Sequence, residues 1–197
     1  MSQQEHSFAN PAPAGLGALA IACFAFFALL TGRVTHESTP ILATWLVGGA
    51  ICQVAAGLIE LKDHNISGGN LMLFFGSFFM VTGAFGMLLK TDLAAKGIAF
   101  DASIEGYTWL CAFLVLVCLT PCYLKANKVF FWLVIVADLA VLSLALGDLG
   151  IAKAILAPAA GWLLLLAGFL ALYLVAAIAI NTTFGKSVLP LPAPYIK

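Results

Sequence analysis

Asp138 stands in the middle of an apolar run, nine residues after Val129 and nine before Gly147, with no cation inside that run. An ionisable side chain at such depth in lipid costs roughly 2.5–3.5 kcal/mol on insertion scales, so it persists where it is paired, faces water or is used. Two readings stay open. Asp138 is a proton-binding carboxyl or gate element beside a solute path, or a protonated carboxyl hydrogen-bonded to a neighbouring helix. Glu60 closes a second apolar run and is followed by Lys62, Asp63 and His64. It reads as an interfacial carboxylate paired with a lysine, or as a second candidate proton donor. Gln53, Gly57 and Glu60 recur at i, i+4 and i+7, a polar and small stripe on one helix face that either lines a path or forms a packing seam.

Two further stretches read as polar helix starts. Asn10-Pro11-Ala12-Pro13 places a good N-cap before prolines that a first turn tolerates. Asn65-Ile66-Ser67-Gly68-Gly69-Asn70 opens a later run in the same way. Unsatisfied N–H groups and the positive dipole end at such starts attract anions, and paired breaks of this kind mark transporter binding sites. Asn181, with Thr182 and Thr183, adds uncharged hydrogen-bonding groups near the end of the last run. The candidate substrate-binding set is therefore Asn10, Pro11, Gln53, Glu60, Asn65, Asn70 and Asn181. Asp138 is the proton-coupling candidate.

Other chemistry is missing from the pattern. There is no nucleophile–base pair, phosphate loop or HExxH, so no enzyme is expected. The five cysteines (Cys23, Cys52, Cys111, Cys118, Cys122) form no CxxC and no cluster with metal-ligand spacing, so no metal and no cofactor are expected. They read as small buried hydrophobes. His6, His36 and His64 fall in the tail and loops and read as solvated.

The elements that must position these groups are membrane helices. Of the 197 residues, 63% are apolar and 9% charged, against about 45–50% and about 25% in a soluble domain. A soluble globule of this size cannot cover itself with so few polar groups. Nine basic and nine acidic residues cancel, so no basic field points to nucleic acid. Met1 to Asn10 carries no Lys or Arg before the first apolar run, so no cleaved signal peptide is expected. Six runs approach the roughly 20 apolar residues that span a bilayer as helix: about 15–32, 40–61, 69–89, 106–122, 129–147 and 154–180. A barrel would instead show alternating segments about half as long. The expected fold class is an all-α integral membrane protein, a six-transmembrane-helix bundle forming one domain over residues 1–197. Its longest connection is 90–105. An even span count puts both termini on one side. Lys62, Lys125, Lys128, Lys186 and Lys197 lie there, against Arg33, Lys90, Lys96 and Lys153 opposite, a bias leaning toward cytoplasmic termini. Glycines within the spans let helix backbones approach closely. The phenylalanines of 74–79 crowd the third run, where one or two rings beside Gly76 could gate by dewetting.

Asn10-Pro11-Ala12-Pro13-Ala14-Gly15-Leu16 resembles the N-terminal signature of the acetate uptake transporter family, succinate–acetate permeases included, with Ala14 in place of the usual leucine. More of the pattern follows in order. Residues 53–60 resemble the second-helix motif. Asn65, Gly68 and Phe75-Gly76-Ser77-Phe78 resemble the following loop and third helix. Gly161-Trp162, Ala171, Tyr173 and the stretch 184–190 resemble the last helix and tail. The resemblance implies a six-helix protomer assembled as a hexamer in the cell membrane, each protomer carrying its own path for acetate or a similar small monocarboxylate, sometimes succinate. It implies a hydrophobic constriction to which Leu19 contributes from the first helix and Phe75, usually tyrosine, from the third. Leu133 or Ala137 contributes from the fifth, and Ala171 is counted with them from the last. Asp138 falls where several members carry a smaller or uncharged residue.

The expected function is a channel or proton-coupled transporter for acetate-like carboxylates. No basic residue lies inside the spans, which fits weak binding and fast release. A channel for a small neutral solute such as urea or ammonia is the alternative, and a non-transporting membrane scaffold is the third reading.

Overall fold

A computed structural model of the chain describes residues 8–196. His6 and Lys197 lie outside the described residues. The chain is helical, with no strand among those residues. The elements are α1 (Ala12–Leu30), α2 (Thr39–Lys62), α3 (Ile66–Phe74), α4 (Thr82–Ala95), α5 (Ile104–Leu119), α6 (Lys128–Asp148) and α7 (Lys153–Phe184). A π-helical segment, Phe75–Val81, joins α3 to α4, and a 3-10 segment, Thr120–Lys125, follows α5. Counted through these joins, six helices are long and apolar enough to cross a membrane. In lipid this is the arrangement in which each segment satisfies its own backbone groups.

α1 packs between α2 and α7, α7 on α6, α6 on α5, and α2 on both α3 and α4. One apolar core holds Leu16, Cys23, Met72, Leu133 and Leu174 between α1, α3, α6 and α7. A second, around Leu46 and Met80, ties α1 and α2 to the third span. Close approach is concentrated where α2 meets α3. A Cβ on Gly57 would lie 2.9 Å from the Gly69 carbonyl oxygen and 3.0 Å from the Leu73 nitrogen, so both glycines are needed for that contact. Of the stripe seen in the sequence, Gly57 is thus packing seam.

Several expectations need correction. The third span is not uniform α-helix. Gly76 is wedged against Val54, where a Cβ would meet the valine side chain at 2.9 Å. The ladder loosens there, Thr82 Oγ1 reaching back five residues to the Ser77 carbonyl at 3.2 Å. The expected long connection is shorter, because α4 continues through the charged stretch to Ala95. Only Cys23 of the five cysteines is buried; the other four are exposed, Cys122 among them lining a cavity. His36 and His64 are exposed, as expected.

Candidate functional site: two chambers in series

Two cavities lie end to end in the bundle. The outer one, about 550 Å³, is lined by the N-terminal stretch Phe8–Ala12, by Glu60, Asp63, Asn65 and Ser67, and by Cys122, Tyr123 and Lys125. The inner one, about 40 Å³, is almost wholly apolar. Leu16, Leu19, Leu71, Phe75, Leu116, Leu133, Val134 and Ala137 form its walls, and Gln53, Tyr123 and Asp138 are its polar side chains. Gly68, Met72, Tyr123 and Phe130 border both cavities and so form the partition between them.

Four of the five residues expected at a constriction, Leu19, Phe75, Leu133 and Ala137, line the inner cavity. Leu19 of α1 faces Phe75, the residue that opens the π-helical segment. Leu133 and Ala137 lie one turn apart on α6 and both line the chamber, since i and i+4 share a helix face. Phe75 is buried and stacks on Phe79, ring centroids 4.3 Å apart. Ala171 is elsewhere, fully buried in the core shared with α1.

Gln53 and Asp138 are among the most buried polar side chains, 2% and 6% exposed. Gln53 Nε2 donates to the Gly15 carbonyl oxygen at 3.3 Å. Asp138 Oδ2 sits 2.6 Å from Thr120 Oγ1, which lies 2.9 Å from the Leu116 carbonyl oxygen. Asp138 is thus bonded to a group from the 3-10 segment and at the same time lines the inner chamber, so both readings of its sequence position fit its placement.

At the outer chamber the structure corrects two expectations. Among the described residues Glu60 has no lysine partner: its Oε2 accepts from Asn65 Nδ2, and Lys62 instead lies 4.6 Å above the Phe8 ring. Nor do the two helix starts present a row of bare amides. Asn10 Oδ1 takes the Ala12 N–H at 2.9 Å, and the Pro11 carbonyl takes Ala14 N at 3.0 Å. Asn65 Oδ1 takes the Gly68 N–H at 3.1 Å, and its carbonyl takes Gly69 N at 3.0 Å. The capping chemistry that makes these starts recognisable also consumes their donors. Asn10, Pro11, Glu60 and Asn65 do line the outer chamber. Asn70 does not: it is exposed, its amide returned to the Ile66 carbonyl. Asn181 does not either. It holds the C-terminal tail, accepting from Val188 N and Leu189 N at 2.7 and 2.9 Å and donating to Leu189 O at 2.8 Å.

Sequence reading missed the partition. Tyr123 is 3% exposed, stacked on Phe130 with ring centroids 5.0 Å apart, and its hydroxyl donates to the Ser67 carbonyl at 3.2 Å. One signal was available: Tyr123 is an aromatic with a polar handle directly after the apolar run of α5, and such a group needs a partner once buried. Thr120 gave none, since a threonine at a helix end ordinarily bonds back to its own turn.

The GPR1/FUN34/yaaH family profile matches residues 1–193. The chain is similar to the succinate-acetate/proton symporter SatP of Escherichia coli, 30% identical over 93% of this chain and 95% of that one. It is also similar to acetate permease A of Emericella nidulans, 30% identical over 87% of this chain and 62% of that protein. Among solved structures it resembles the bacterial acetate channel SatP, with a TM-score of 0.83 and 26% identity over 93% of this chain and 99% of that one. Six membrane-crossing helices, the two-chamber path and these matches together make the chain a multi-pass membrane protein belonging to the GPR1/FUN34/yaaH family.

Proposed function

We propose that the chain is a membrane conduit for acetate and similarly small carboxylates, succinate among them, and a transporter or channel rather than an enzyme. One observation carries this reading: a wide polar outer chamber opens onto a narrow apolar one through a four-residue partition. A two-carbon acid fits such a throat. Among the described residues Lys125 is the cation lining the outer chamber, which it shares with Glu60 and Asp63. An incoming acid is therefore met by a weak, mixed field rather than a trap, which favours flux over retention. The relatives named above transport or conduct acetate, which supports carboxylates over urea or ammonia and transport over a scaffold role.

The roles follow the geometry. Asn10, Pro11, Glu60 and Asn65 shape the entrance, Tyr123 with Met72 and Phe130 closes it, and Leu19, Phe75, Leu133 and Ala137 form the hydrophobic throat around Gln53 and Asp138. Large apolar side chains remain exposed along the helices, Trp45, Ile51, Phe85, Ile155 and Phe169 among them. They fit lipid and a homo-oligomer, which the family resemblance extends to a hexamer with cytoplasmic termini. Uptake of labelled acetate into proteoliposomes, competed in turn by succinate, lactate and urea, tests the function. Protein-dependent uptake blocked by the carboxylates and indifferent to urea is expected. Urea competition, or no uptake above protein-free vesicles, would overturn it.

A further inference from the structure

The outer chamber opens at the end of the bundle that holds the chain termini, beside Asn10, Glu60, Asn65 and Lys125. A conduit also needs an opposite mouth, and the helices around the inner chamber show where it falls. Phe75, Leu116 and Ala137 line that chamber. One turn further from the outer chamber stand Phe79, Ala112 and Val141. Ala112 and Val141 are buried with Phe75 and Leu116 in one apolar cluster, and Phe79 packs against it. Phe79 stacks on Phe75, and the Trp109 ring of α5 lies 4.9 Å from that of Phe79. Followed along the same faces at spacings of three and four, the three walls end in charge: Lys90 on α4, Glu105 on α5 and Asp148 on α6.

These charged ends meet. Lys90 Nζ is ion-paired with Glu105 Oε2. Lys153, which opens α7, stands 3.7 Å from Asp148 Oδ1, and Asp148 lies within the field of both Lys90 and Glu105. The start of α5 is pinned to the end of α6, because a Cβ on Gly106 would fall 2.8 Å from the Leu149 nitrogen. α4 has no such seat on α5. It packs on α2 and on the π-helical segment, and among the described residues Lys90 with Glu105 is its one ion pair to α5. The pair thus bridges a lightly packed seam. Its side chains are 38% and 33% exposed, so a solute at this mouth reaches them.

The Glu105 head group, a carboxylate on a methylene, is chemically an acetate tethered to a helix. It occupies the ammonium that a free carboxylate arriving here would take. Resting on the conduit reading, we propose that Lys90 is the carboxylate-binding residue of the mouth opposite the termini, held at rest by Glu105 as a tethered stand-in, and that a small carboxylate enters or leaves there by exchanging with Glu105. Exchange keeps the ammonium paired at each step. A half-exposed ion pair is weak enough to be exchanged in this way, whereas an unoccupied lysine would retain the anion and slow its release. Displacing Glu105 also unties α4 from α5 as the solute arrives.

The test is initial-rate uptake of labelled acetate into right-side-out and inverted membrane vesicles, which load from the two mouths separately, with vesicles from cells lacking the protein subtracted. In the orientation that loads from this mouth, Glu105→Gln frees Lys90 and is expected to lower the half-saturating acetate concentration, while Lys90→Gln raises it, each by roughly fivefold, the span of a half-exposed ion pair. Lys90→Arg, which keeps a cation, is expected to stay close to the parent. A bridge that only braced the helices would be lost equally in both glutamine variants and would move them in the same direction. Shifts of the same sign, or no shift in either orientation, would overturn the inference while leaving the conduit intact. Parent vesicles without protein-dependent uptake would remove both. Should Lys90→Gln fail to fold, Glu105→Gln decides alone: a half-saturation that is unchanged or raised overturns the exchange.

Discussion

Tyr123→Phe isolates the partition between the chambers in one atom. The ring, and its stack on Phe130 at 5.0 Å, stay in place; only the hydroxyl donated to the Ser67 carbonyl at 3.2 Å is removed. A neutral hydrogen bond of this kind contributes about 0.5–1.5 kcal/mol net. About 1 kcal/mol shifts a two-state balance roughly fivefold. The hydroxyl ties Tyr123 to Ser67 across the partition, so the shift favours the parted state, and the initial rate of acetate uptake should rise about fivefold at matched protein loading. Tyr123→Ala, which takes the ring away as well, should raise it further and weaken discrimination by size. The assay is initial-rate uptake of labelled acetate into proteoliposomes. A Phe variant running at the parent's rate or below it, while eluting as the parent does in detergent, would refute the assignment of Tyr123 as a latch.

Three other perturbations have definite signs. Phe75→Ala removes the ring that stacks on Phe79 and faces Leu19; lactate uptake should gain on acetate, measured as a competition ratio, while thermal stability falls by an amount on the order of 3 kcal/mol. Gly57→Leu drives a Cβ to 2.8 Å from Leu73 Cγ and 2.9 Å from the Gly69 carbonyl oxygen. It should cost about 1–3 kcal/mol in a thermal melt in detergent, whereas Gly48→Ala, with nothing within 4 Å, should leave the melt unchanged. Asp101 Oδ1 accepts the Ser103 N–H at 2.9 Å, and that bond holds its carboxyl below the ordinary value. The depressed value belongs to the folded state. Its stabilisation of the α5 entry is therefore in place above the unfolded carboxylate range and lost as pH falls through the folded value. Amide exchange at 103–106 should accelerate on acidification in the parent but not in Asp101→Asn.

What the sequence disclosed, and what it withheld, divides along a physical line. Six spans were legible because lipid demands long apolar runs and Arg33, Lys62, Lys90 and Asp148 end four of them. Leu19, Phe75 and Gln53 were expected along a path, the first two by resemblance and the last as a polar group on an apolar face, and all three line the inner chamber. Asn70 and Asn181 were misread because an amide's partner is not written in its own segment. One returns to Ile66, and the other grips a tail that begins seven residues further on. The π-helical join was hidden for the same reason, since it answers the contact of Gly76 with α2 rather than any propensity of residues 75–81. Periodicity gives the face of a helix; the neighbour on that face comes from tertiary packing.

The segment Thr120–Lys125 shows what such neighbours build. Thr120 at its start bonds Asp138 in the inner chamber, Tyr123 in its middle shuts the partition, and Lys125 at its end lines the outer chamber. The C-terminal tail ties it from behind: Tyr195 N and Ile196 N both donate to the Leu124 carbonyl oxygen, at 3.1 and 3.0 Å, and Lys128 N donates to Pro192 O at 3.2 Å. The tail is in turn gripped by Asn181 of α7 and by Tyr173, whose hydroxyl meets the Pro190 carbonyl at 2.6 Å. One short segment therefore touches both chambers and is anchored by the tail. A displacement of this segment as a unit that parted Tyr123 from Ser67 would also draw Thr120 from Asp138, so Tyr123→Phe and Thr120→Val are expected to raise acetate uptake non-additively in a double-mutant cycle.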